Sequence, residues 1–280
     1  QPSCRGANCE GIRGPARENG HLRPRGRSFL ILAATLAALL LLFLLTAPVP
    51  QDPAYHQFAD GRTILGIANF WNVMSNLPFA VVGLWGIAVV FRDSQRVCLP
   101  GLELAYIVFF SGIFLTAFGS GYYHLNPANE PLVWDRLPMT VSFAGLFAII
   151  VGEFVSPRVG RAVVVPLLLL GIASVEYWAW TEANGVGDLR PYAVMQFLPM
   201  LLLPVILLAY KPVIGSAKYF WLMLMFYVLA KLAEFFDYGI FAAGVLSGHS
   251  LKHLFAALTP ATLLYALLQR RTIPAAANDG

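Results

Sequence analysis

The feature that most constrains this chain is a series of apolar stretches, each about as long as a membrane is thick. A helix needs about 20 mostly apolar residues to cross the hydrocarbon core. Eight segments qualify, at about 28–48, 70–91, 101–123, 134–155, 160–180, 191–210, 217–243 and 249–269. The segments between them are short. Pro100, Pro127, Pro131, Pro157, Pro191 and Pro212 fall at or just outside the expected ends, where helix breakers belong. Only 12% of the 280 residues are charged and 58% are hydrophobic, whereas a soluble domain carries about a quarter charged residues. So few charges cannot cover a water-exposed surface of this size. The expected fold is all-α: a multi-pass transmembrane helix bundle, its first helix over 28–48 and the seven further spans within 69–270.

The ends and loops set the expected orientation. Residues 1–27 are basic, Gly/Pro-rich and without apolar periodicity, and they hold six arginines. They read as a disordered tail, and 271–280 as a short C-terminal tail. The first apolar stretch follows a basic region, as a signal peptide does. Ser28–Leu45 is longer than the usual 7–15-residue signal core, however, and no small-x-small cleavage site follows, so a retained helix is expected. Place both termini in the cytoplasm and alternate the spans. Arg92, Arg96, Arg158, Arg161, Lys211, Lys218, Arg270 and Arg271 then join the tail arginines inside. Arg62, Arg136, Arg190 and Lys252 fall outside, among Asp52, Asp60, Glu130, Asp135, Glu182 and Asp188. That distribution satisfies the positive-inside rule in every cytoplasmic loop. Cys4, Cys9 and Cys98 form no C-x-x-C pair and read as incidental thiols.

Three of the five histidines converge on the outside end. His124 ends the third span, while His249 and His253 open the eighth. A spacing of four puts the last two on one helix face, one turn apart. Three histidines with a free fourth position form the open, catalytic type of zinc site. Two hydrogen-bonded bundle histidines are the plainer reading of the pair alone. Ser120 stands four residues before His124, on the same face, where it can serve chemistry or close helix packing beside Gly119 and Gly121. Asp135 opens the fourth expected span. It can act as a base toward metal-activated water, complement the helix dipole, or pair with Arg136. Among the other intramembrane ionisable groups, Asp237 is expected to orient a ligand histidine and Glu176 to line a cavity. Lys231 and Glu234 pair at a spacing of three. Glu103 and Glu153 read as interfacial. Phe118, Phe236 and Trp178 are candidates for an acyl path, although core packing is the plainer role for each.

The strings G-S-G-Y-Y-H (119–124), W-D-R-L-P-M-T (134–140) and G-H-S-L-K-H (248–253), with F-W-N-V-M-S-N (70–76), resemble the alkaline ceramidase family. That family belongs to a superfamily of seven-helix membrane hydrolases that includes the progestin and adipoQ receptors. The resemblance covers roughly 69–270. It implies a zinc-dependent amide hydrolase that cleaves ceramide-like N-acyl sphingoid lipids to a fatty acid and a sphingoid base. It further implies His124, His249 and His253 as zinc ligands, and Asp135 and Ser120 as the residues that move the proton and polarise the carbonyl. The calcium site of eukaryotic members is matched incompletely, which leaves calcium dependence open: Asn69 stands where a glutamate is expected, and only Asp52 and Asp60 are acidic in the preceding loop.

Two other readings compete. One is a receptor-like protein of the same superfamily with a structural zinc. The other is a transporter or proton relay built on the intramembrane carboxylates. A haem-binding histidine pair on one helix needs a wider spacing than that of His249 and His253. The expected partner is a membrane lipid, with no nucleic acid, and the sequence names no protein partner. The zinc site is expected on the periplasmic or lumenal face. The compact loops favour a bacterial inner membrane, and an endoplasmic reticulum or Golgi location fits the same topology.

Overall fold

The computed structural model describes residues 24–271. The expected tails over 1–23 and 272–280, with Cys4, Cys9 and His21, lie outside the described residues. Helix α1 (Pro24–Leu45) belongs to one compact unit, and the described residues from Thr46 onward form a second. The helix takes in Pro24–Arg27, which the sequence assigned to the tail, and it ends before residues 46–48.

The second unit is a helix bundle. Its elements are α2 (Phe70–Met74), α3 (Leu77–Val97), α4 (Glu103–Leu125), α5 (Asn129–Phe154), α6 (Pro157–Ala183), α7 (Arg190–Ala209), α8 (Lys218–Phe235), α9 (Asp237–Ala243) and α10 (Gly248–Arg271). No strand forms among the described residues beyond one isolated bridge between Ile64 and Ile67. Among the described residues, seven helical segments are long and apolar enough to cross a membrane, and α8 with α9, bent by 78°, makes an eighth if the pair is one broken span. These helices make the chain an integral membrane protein. Large apolar side chains such as Leu84, Trp85, Leu169, Leu208 and Phe235 are exposed on the bundle surface, as lipid contact requires.

Local chemistry sets the helix ends. Ser156 accepts from the Val159 N–H and caps α6, whose first residue is Pro157. Pro78 and Pro191 occupy first-turn positions in α3 and α7, where their missing N–H costs nothing. The core is built from Tyr106, Phe109, Phe110, Ile149, Leu203, Phe220, Met223 and Leu263. A smaller cluster of Tyr123, Leu132, Val175, Trp178 and Tyr192 lies toward the histidine end.

Three expected spans are redrawn. The segment 70–91 breaks at Ser75–Asn76 and runs on to Val97, because Pro78 cannot donate within a continuous helix. The segment 217–243 turns sharply at Phe236. The fourth span begins at Asn129, so Asp135 lies well inside α5 rather than at its opening.

Two charges expected at the membrane surface are buried instead. Glu153 is fully buried and pairs with Arg270, Oε2 to Nη2 at 2.7 Å, with the Tyr106 hydroxyl also donating to it. Each charge is tolerated there because the other neutralises it and hydrogen bonds complete the shell.

Candidate active site

His124 lies in the last turn of α4, and His249 and His253 in the first two turns of α10. All three are buried, and their ring centroids are 4.9–5.0 Å apart. One ligand nitrogen from each can be chosen so that all three lie within 4.8 Å of one another. Nε2 of His249 and Nε2 of His124 are 3.3 Å apart. Two nitrogens held about 2.0–2.1 Å from one tetrahedral zinc ion stand about 3.3 Å apart, so the pair already has the spacing of two ligands.

The third ring is oriented by α2. Ser75 Oγ lies 2.8 Å from Nδ1 of His253, and the Ser75 hydroxyl hydrogen goes to the Asn72 carbonyl at 3.3 Å. With its hydrogen on that carbonyl, Ser75 can accept from Nδ1–H, the tautomer that leaves the Nε2 lone pair of His253 for an ion. Nδ1 of His124 is buried with no protein partner. The donor set thus consists of three imidazole nitrogens, which suits zinc with one position open.

Asp237 acts on the backbone. Its Oδ1 accepts from the His249 N–H at 2.7 Å, and its Oδ2 accepts from the Ala59 N–H at 2.9 Å. It caps α10 from outside the helix and ties the entering loop to it, without touching an imidazole. Close packing helps to seat α10: a Cβ on Gly248 would lie 2.1 Å from the Ala233 carbonyl oxygen of α8.

Ser120 and Asp135 meet across the α4–α5 contact. Both are buried, and both line the same cavity. That approach depends on Gly119, where a Cβ would fall 2.0 Å from the Trp134 carbonyl oxygen. Arg136 turns away from Asp135. Its Nη2 donates to Gln51 Oε1 at 2.6 Å, and its guanidinium lies over the rings of Trp178 and Tyr192.

Ser120, Asp135 and His253 line one cavity of about 140 Å³, far more than the ~10–15 Å³ that one water requires. Its polar end also carries Tyr55, Lys231, Glu234 and Lys252, and Phe109, Ile113, Leu146 and Met200 make the other end apolar. The loop before α2 closes over the three histidines. The Phe58 ring lies 4.7 Å from His124 and 4.4 Å from His249, centroid to centroid. His56 holds that loop through the Tyr123 hydroxyl and Asn129 Oδ1, both at 2.9 Å.

Several expected placements change. Glu176 is exposed on α6 between the exposed Tyr177 and Ile172 and does not line the cavity. With Trp180 it resembles an interfacial belt. Phe118 and Phe236 face outward, and Trp178 is packed in the smaller apolar cluster, so none of them lines the cavity. Lys252, expected at the outer end of the last span, lines the cavity. Ser75, Asn72, Phe58 and Tyr55 were missed by sequence reasoning. The polar N-V-M-S-N run inside an apolar helix was the signal for the first two. No sequence signal marked Phe58 or Tyr55. The acidic residues of the preceding loop do not converge: Asp60 is held by Arg62, and Asp52 caps the Ala54 N–H.

Among known families, the Ceramidase family model matches residues 62–236. The matched region spans α2 through α8 and includes His124, Ser120 and Asp135, and it ends before His249 and His253. Curated proteins give no match.

Proposed function

The chain belongs to the ceramidase family, whose members are amide hydrolases, and on that premise we propose that it is a zinc-dependent hydrolase of ceramide-like N-acyl sphingoid lipids within a membrane. Family membership supports a ceramide-hydrolysing function. The observation that carries the finer reading is the 3.3 Å approach of two imidazole Nε2 atoms, beside a cavity wall that also holds Ser120 and Asp135.

His124, His249 and His253 would hold the ion. Zinc bound there supplies a Lewis acid that makes water nucleophilic near neutral pH. Asp135 takes the proton released by the attacking water and delivers it to the amide nitrogen, so that the C–N bond breaks with a neutral amine leaving. Ser120 donates to the carbonyl oxygen as negative charge gathers on it. Phe58 excludes bulk water from the ligand side. The apolar end of the cavity accepts the acyl chain. The products are a fatty acid and a sphingoid base.

The proposed orientation puts this site on the periplasmic or lumenal side with both termini in the cytoplasm. It is supported by Arg92, Arg96, Arg158, Arg161, Lys211 and Lys218, all at the bundle end opposite the histidines.

The test pairs metal analysis with an amidase assay on wild type and Asp135→Ala. The expected result is about one zinc per chain in both, with turnover in wild type alone. Zinc without turnover on any N-acyl lipid would favour a receptor-like protein. Absence of zinc would sink the site.

A further inference from the structure

Two polar side chains in the wall of the cavity take no part in the hydrolytic steps. Gln196 on α7 and Tyr227 on α8 both line it. Gln196 is only 8% exposed, and no described residue makes a hydrogen bond with its side-chain amide. The Tyr227 hydroxyl oxygen is buried with no partner. Other polar residues of the wall are satisfied within the protein. The Thr116 hydroxyl donates to the Gly112 carbonyl at 2.8 Å, and the Ser142 hydroxyl to the Pro138 carbonyl at 3.0 Å.

The two stand at one level of the bundle. The Tyr227 ring lies 6.4 Å from that of Phe143 on α5, centroid to centroid. Helices α5 and α7 run in the same direction, and the Tyr192 hydroxyl meets Met139 Sδ at 3.9 Å. Phe143 and Gln196 each follow four residues later, one helical turn further on. Phe143 is two turns beyond Asp135, about 12 Å along the axis, toward Leu146 and Met200. The pair therefore flanks the acyl chain, past the scissile amide. Buried polar groups are almost always hydrogen-bonded, and burying one without a partner is costly. Apolar residues at both positions would have continued the apolar wall without that cost. The amide offers donors and an acceptor, and the phenol can do either. A plain methylene chain answers neither of them. A hydroxyl group can donate to Gln196 Oε1 and accept from the Tyr227 hydroxyl at once.

We propose that Gln196 and Tyr227 recognise a hydroxyl group carried partway along the acyl chain, so that the favoured substrates are ceramide-like lipids with a hydroxylated acyl chain. The inference rests on the amidase reading and narrows its substrate class. Both residues touch the substrate away from the reacting atoms, so they choose between acyl chains and leave the chemistry at Ser120 and Asp135 the same for each.

The test uses the full-length protein in neutral-lipid vesicles. The substrates are N-acyl sphingoid bases of one acyl length, either unsubstituted or with a single hydroxyl at the carbon next to the carbonyl or at successive carbons toward mid-chain. The readout is the ratio of each hydroxylated lipid's kcat/KM to that of the unsubstituted lipid within one protein, so any loss common to all substrates cancels. Wild type should show one mid-chain maximum of about tenfold, the scale of a hydrogen bond left unmade by the plain chain. Gln196→Leu should flatten that maximum, and Tyr227→Phe, which removes a single oxygen, should lower it partway. A thermal melt checks the fold of each variant, and Tyr227→Phe decides alone should Gln196→Leu not fold. Turnover by wild type with no dependence on the hydroxyl overturns this inference and leaves the amidase reading intact, the pair then holding water alone. A maximum next to the carbonyl, or one that survives both substitutions, overturns it equally. No turnover of any of these lipids overturns both readings.

Discussion

The Ser75 hydroxyl lies 2.8 Å from Nδ1 of His253, and the break between α2 and α3 is what brings it there. A continuous helix would carry the chain past the site, whereas the stop at Ser75 ends a short helix against α10. Partners of this kind fix the tautomer and orientation of a ligand histidine, and their loss typically weakens metal affinity about 10–100-fold. Ser75→Ala should weaken zinc binding on that scale while leaving the bundle folded. A zinc-buffered titration followed by a thermal melt checks both parts.

Phe58 covers the ligand histidines with an apolar ring, and such a shell controls solvent access to a metal. Phe58→Ala should speed zinc removal by a chelator without moving the zinc stoichiometry. Stopped-flow chelation on the two proteins measures it. Equal rates would mean that the loop does not gate the site.

The contact at Gly119 is backbone to backbone, so a methyl group cannot be relieved by a side-chain rotation. Gly119→Ala should destabilise the protein by about 1–3 kcal/mol and lower turnover by parting Ser120 from Asp135. Gly121→Ala is the control, since the nearest atom its Cβ would meet is Val73 Cγ1 at 4.0 Å. Thermal melts and amidase rates of the two variants should separate clearly.

Acid should loosen the loop over the site. Hydrogen bonds from the Arg62 guanidinium pull the Asp60 carboxyl below its ordinary range, against the opposing effect of burial. Arg62 also donates to the Val245 carbonyl at 2.7 Å, which ties this loop to the α9–α10 connection. A carboxyl group depressed in the fold contributes in full above its unfolded value of about 3.9 and loses that contribution as pH falls through the folded value. Amide hydrogen exchange over residues 60–64 of the zinc-free protein should therefore accelerate below about pH 4, beyond the intrinsic trend. Asp60→Asn should show the looser state already at neutral pH, with no further acid step.

The α-helical class, the membrane character and the approximate spans were legible because apolar length and proline placement act locally. A run such as Leu167–Leu170 carries its reason for being helical and lipid-facing within itself. The three histidines were legible for a related reason. A spacing of four defines a helix face, and counting spans puts His124 at the same end of the bundle as His249 and His253.

Which side chains turn inward is another matter, decided by neighbours far away in the chain. Glu176 and Glu234 are both acidic residues in apolar helices, yet one is exposed and the other is clasped between two lysines in the cavity. Sequence gave Asp237 a plausible place beside a ligand ring. Only the bend at Phe236 aims its carboxylate at the His249 backbone N–H instead. The sequence by itself determined the helices, the membrane setting and the three histidines that share one end of the bundle. Tertiary structure alone decided the environment of each histidine, the contact of Ser75 with His253 and the side chains that line the cavity, because those depend on kinks and backbone contacts between helices that no local pattern encodes.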